Sequence, residues 1–137
     1  MFPLNPIEVH YKNSFAAIKI GNFLAEHMNN AAIVCIGTDK CIIAVDACLS
    51  NKKNQGIIEI REGSITPGKG IGKFLPEIGD ISIIGIVNSS DKEFHDLVQD
   101  TRLSLIYDMA EIICGGVLNA CSMNISESFD QASISRA

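Results

Sequence analysis

Apolar side chains recur at roughly helical spacing from Phe15 to Met28, and Phe15, Ile18, Leu24 and Met28 form the expected buried face of a first helix. Ser14 stands where an N-cap oxygen is needed, and Asn29-Asn30 ends the pattern. Four short apolar runs follow, at Ile33–Gly37, Cys41–Asp46, Gly56–Arg61 and Ile81–Val87. They are mostly continuous rather than alternating, the pattern of strands covered on both faces. A second helix is expected from Glu93 to Leu118, with Leu97, Leu103, Ile106, Met109, Ala110, Ile113 and Val117 at helical spacing. Residues 1–13 read as an extended lead-in. Residues 119–137 are serine-rich and weakly patterned, which predicts a disordered tail behind a single domain over residues 1–118.

The order of these elements predicts an α/β sandwich, and it contains a conflict. Continuous apolar strands belong to parallel sheets, and parallel neighbours need a crossover of about a dozen residues or more. Only Thr38–Lys40 separate the first two runs. Either those runs form a tight antiparallel hairpin, or a crossover is missing.

With 137 residues the chain fits one domain and one core. A hydrophobic content of 47% against 20% charged residues excludes a disordered chain. The net charge of −5, with no basic stripe, argues against nucleic acid as a partner. No apolar run reaches the roughly 18 residues of a bilayer span, and no signal peptide is visible. A cytoplasmic protein without a membrane partner is therefore expected. Five cysteines, none in a CxxC pair, fit reduced structural thiols and no metal site.

Asp46, closing the run CIIAV, is the sharpest chemical candidate. A carboxylate at the edge of an apolar strand either does chemistry or caps the following loop. Asp39 shapes a strand exit and is the weaker one. Gly68, Gly70 and Gly72 of TPGKGIGK present alternating backbone amides that suit an extended peptide or an anion. The segment is neither a Walker loop nor a dinucleotide fingerprint. His10, His27 and His95 read as surface histidines. Thr101-Arg102 is either a surface pair or a cap on the crevice where strands end.

Four blocks, IVCIGTD (33–39), IIAVDACL (42–49), GSITPGKGIGKFLPEIGDISIIGIVN (63–88) and DTRLSLIYDMAEII (100–113), resemble the YyaC-type sporulation proteins, in that family's order. That type is similar to the germination protease of spore formers and, more distantly, to the hydrogenase-maturation endopeptidases. The resemblance implies a three-layer α/β sandwich on a mostly parallel sheet, of the phosphorylase/hydrolase-like kind. The crossover missing after the first strand would belong to it. It also implies an aspartate-dependent peptidase that cuts small acid-soluble spore proteins in the cytoplasm of the sporulating cell or forespore. Asp46 of VDACL matches the aspartate of a -DAL- context, and Gly68, Gly70, Gly72 and Asn88 would line the substrate crevice. The segment like -GDxLGP-, which carries the second aspartate, is absent, and no histidine near Ile86–Asn88 matches a metal ligand. No cofactor is implied. Two functions follow: a peptidase relying on Asp46, or an inactive relative that binds a peptide or protein without cutting it. An anion-binding module built on the glycine loop is a third. The edge that a lost strand leaves predicts self-association.

Overall fold

The computed structural model of the protein describes residues 5–31, 42–67, 73, 75–89 and 102–136. The run Ile33–Gly37, Asp39, the Thr38–Lys40 connection, and Gly68, Gly70 and Gly72 lie outside these residues.

Strand β1 (Ile7–His10) is followed by helix α1 (Ala16–Ala31), β2 (Ile43–Ser50), a 3-10 turn (Lys52–Asn54), β3 (Ile57–Glu62), β4 (Ile81–Ser89) and helix α2 (Leu103–Arg136). The strands form one sheet in the order β1-β3-β4-β2. Only β2 and β4 are parallel, whereas β1/β3 and β3/β4 are antiparallel. The expected mostly parallel, phosphorylase-like sheet is thus corrected to a mostly antiparallel one. The physical reason lies in the route between β2 and β4. Their parallel pairing needs a return leg, and β3 supplies it from the far side of β4, so no crossover helix is required.

Register assigns the two faces. Val9 faces Ile58, Ile60 faces Ile83 in β4, and Glu62 faces Ile81. These isoleucines share one buried cluster with Ala16, Ile20, Phe23, Leu24 and Ala25 of α1 and with Leu105, Met109, Ile113 and Ala120 of α2. Among the described residues the two helices therefore form one layer on one face of the sheet. Each fully buried isoleucine contributes roughly 1.5–3 kcal/mol. Val45 of β2, the outermost of the described strands, points to the same side but is 54% exposed.

Several boundaries differ from those the sequence suggests. The lead-in contains β1, a four-residue alternation in which only Val9 is fully buried. Asn13, not Ser14, caps α1: its side-chain oxygen accepts the Phe15 amide at 2.8 Å. The helix is also turned from the expected phase: Leu24 is fully buried as expected, but Phe15 is 60% and Ile18 51% exposed, and Ile20 is fully buried instead. Gly21 explains the rotation, because it lies against Gly116 and Asn119 of α2 and admits that helix closely. Finally, α2 begins at Leu103 and continues as helix through the serine-rich stretch to Arg136. By length and composition its Leu103–Met123 segment is apolar enough to cross a membrane, contrary to the absence of such a stretch in the sequence reading. Asp108 and Glu111 lie within it, and Leu105, Met109, Ile113 and Ala120 seat it on the core.

The cysteines also depart in part from expectation. Cys48 and Cys114 are free, but Cys121 is disulfide-bonded.

Candidate functional site

The parallel pair β2/β4 has two ends, and the residues singled out in the sequence divide between them. The glycine-rich connection leaves β3 and enters β4 at the amino end of the pair. There Ile65 and Ile78 bridge, the Gly63 amide donates to the Asp80 carbonyl, and Asp80 Oδ2 accepts the Ile42 amide at 2.8 Å. Its flanks therefore lie away from the carboxyl end, where ligands of parallel strands usually sit. Gly68, Gly70 and Gly72 themselves lie outside the described residues.

Asp46 sits in the middle of β2, paired with Ile84, on the sheet face opposite the helices. Its Oδ1 accepts the amide of Ala47 at 2.8 Å. In register beyond Ile84 comes Glu59 of β3, two strand spacings or roughly 10 Å away along the sheet. Glu59 is within 3.7 Å of the Arg61 guanidinium. Cys48, two residues from Asp46, shares this face. Burial, reinforced by Glu59 and then Asp46 and opposed by Arg61, pushes its thiol above the ordinary 9.0. Only the thiolate attacks an electrophile, so this cysteine is a poor nucleophile near neutrality. Alkylation of Cys48 by iodoacetamide, followed by peptide mass spectrometry across pH, is expected to show a rate midpoint above pH 9.0. Glu59→Gln removes one cause of the rise and should move the midpoint down; Arg61→Gln should move it up. A midpoint below that of a model thiol would contradict this picture.

The carboxyl end of the parallel pair holds a crevice of about 560 Å³, within the range of small-ligand sites. Asn88 of β4, 3% exposed, and Leu105 of α2 form its floor. A bulge between Cys48 and Leu49 shifts the register so that Leu49 meets Asn88; such bulges re-aim side chains at sites. Asn88 Oδ1 accepts the Ser89 amide at 2.8 Å. Tyr11 and Gln55 are half-buried walls, and His10, Lys12, Lys52 and Arg102 stand exposed around the rim.

Local chain geometry sets these walls. Gly56, at φ +93°, precedes β3, and a Cβ there would come within 2.9 Å of both His10 Nε2 and the Tyr11 ring. Only glycine fits that conformation and that space. The Tyr11 amide donates to the Gly56 carbonyl at 2.9 Å, and the Gly56 amide to the Ile86 carbonyl at 2.8 Å. The His10 and Tyr11 rings stack at 5.0 Å, His10 Nδ1 accepts the Lys12 amide, and Lys12 Nζ lies 5.9 Å from the Tyr11 ring centre.

Of the residues named from the sequence, Asn88 and Arg102 are in this crevice and Asp46 is not among those lining it. Two histidines of the described part are placed differently from expectation. His10 lines the crevice, and His27 is largely buried, 3.5 Å from Glu62 at the end of β3. Sequence reading missed Tyr11, Lys12, Lys52 and Gln55. Among the described residues no group of histidine, cysteine and carboxylate side chains has the arrangement of a metal site.

Residues 40–116 match the family described as protein of unknown function (DUF1256). The chain belongs to that family. Over 76 residues it is also 45% identical to the uncharacterized protein YyaC of Bacillus subtilis (strain 168), a stretch covering 56% of this chain and 37% of that protein. The chain thus matches well under half the length of this relative. No solved structure matches it. The matched family segment contains Asp46, Asn88 and Arg102, whereas His10, Tyr11 and Lys12 precede it.

Proposed function

We propose that this chain is a sporulation-associated relative of the spore proteases that binds a peptide or protein segment without cleaving it, in the cytoplasm of the sporulating cell. One arrangement carries the reading: the candidate catalytic carboxylate and the crevice are in different places. Asp46 lies mid-strand, accepts a local amide and faces Ile84 across the register. The crevice lies at the strand ends, lined by amides, cations and an aromatic ring. Hydrolysis of a peptide bond by carboxylates divides acid and base roles between two groups, and Glu59 is held at Arg61 beyond the intervening strand. Resemblance to the germination protease supports a small acid-soluble spore protein as the bound partner.

The test pairs the full chain with its Asp46→Asn variant, each incubated with a small acid-soluble spore protein. Saturable binding with equal Kd for both, and intact substrate by mass spectrometry, is the expected result. Cleavage by the unmodified chain that drops about a hundredfold or more in Asp46→Asn would establish the peptidase instead.

A further inference from the structure

The crevice departs from the charge balance of the molecule. The chain carries 16 acidic and 11 basic residues. Yet among its described lining residues are the cations Lys12, Lys52 and Arg102, and no acid. These groups come from three separate segments: the turn after β1, the 3-10 turn after β2, and the residue before α2. Cations gathered from distant parts of an acidic chain around one concavity raise the local concentration of anions. They are spread around the rim, while the floor is buried and carries Asn88 and Leu105. Gln55, half-buried in the wall, offers one acceptor and two donors to a passing backbone.

We infer that this crevice binds an acidic peptide segment, its carboxylates held by Lys52, Arg102 and Lys12 and its backbone crossing Gln55 above a floor of Asn88 and Leu105. This assignment rests on the peptide-binding reading given above and names the ligand class and the place. Charges distributed around about 560 Å³ suit several carboxylates along a chain. A lone phosphate would want the donors converged on one point. Tyr11 and Leu105 add surface for an apolar side chain between the acids.

Fluorescence anisotropy of the full chain with a labelled Glu-Leu-Glu-Leu-Glu-Glu peptide tests it, at low salt and at about 0.3 M salt, with inorganic phosphate as competitor. Saturable binding is expected. It should weaken about tenfold or more in a Lys52→Glu/Arg102→Glu variant and stay unchanged in Lys19→Glu, an exposed site on α1. High salt should weaken it because at about 0.3 M the rim charges are screened within roughly 6 Å. Unchanged melting temperatures would show that these exposed substitutions leave the fold intact. Loss of binding in all three chains alike, no binding at all, or displacement by phosphate at concentrations comparable to the peptide would overturn the assignment. If the Lys52/Arg102 variant still held the intact spore protein as tightly, peptide binding would survive as a function and this crevice would be excluded as its site.

Discussion

Gly116→Val is expected to lower the stability of the chain by about 2–3 kcal/mol, a drop in melting temperature on the order of 10 °C. A Cβ at Gly116 would run into Ile20 of α1, lying 2.7 Å from its Cβ and closer still to Cγ2, and 3.2 Å from the Ala17 carbonyl oxygen. Ile20 is fully buried and cannot swing away, so the two helices must move apart. The neighbouring glycine provides the control. A Cβ at Gly115 meets only Ala17 Cβ at 3.6 Å, an ordinary contact. Gly115→Ala should therefore gain the helix propensity of alanine, up to about 1 kcal/mol. The same change at Gly116 should lose stability despite that gain. Thermal unfolding by circular dichroism separates the two. Equal effects at both positions would mean that the helices do not cross at Gly116.

Ile83→Ala carries a comparable or larger effect, about 2–5 kcal/mol, because it leaves a cavity in the centre of the cluster. Ile83 is 0% exposed and faces Ile60 on the helix side. Ile84, one residue on, points to the opposite face beside Asp46 and Glu59 and is only half-buried. Its replacement by alanine should cost less than half as much. Urea unfolding of the two variants, compared at equal slope, measures the difference. A reversed order would put the core on the wrong face of the sheet.

The strands were legible where apolar runs are long. Ile57–Glu62 and Ile81–Ser89 overlap the expected segments closely, whereas Ile43–Ser50 runs four residues past Asp46, where the apolar run ends. Their direction was not legible, because a run of isoleucines looks the same whether its neighbour runs parallel or antiparallel. β4 is continuous in isoleucine because strands flank it on both sides and the helices cover one face, a condition that a mostly antiparallel sheet meets equally well. The phase of α1 was hidden for a different reason. Spacing finds Leu24 but also favours Phe15 and Ile18, whereas the close approach at Gly21 and Gly116 turns Ile20 inward instead. Of the crevice, the resemblance names Asn88, and Arg102 enters as one of two readings of Thr101-Arg102; both line it. His10, Tyr11, Lys12, Lys52 and Gln55 sit in a lead-in and a polar loop that no local pattern links. Only the pairing of β1 with β3, some fifty residues apart in sequence, brings them together.

That pairing bears on what the family segment is. The match to the family starts at residue 40. Val9, Ala16, Ile20, Phe23, Leu24 and Ala25, six of the fourteen residues in the described core cluster, come before it. Ile58, Ile60, Ile81 and Ile83 are buried together with them. The burial of four isoleucines is worth roughly 6–12 kcal/mol, comparable to the whole net stability of a domain. In this chain the matched stretch therefore shares its core with residues that precede it. Its inner surface is completed by β1 and α1, which lie before residue 40. One wall of the crevice, from His10 to Lys12, also precedes the matched residues, so a substitution there would alter binding without touching the matched segment.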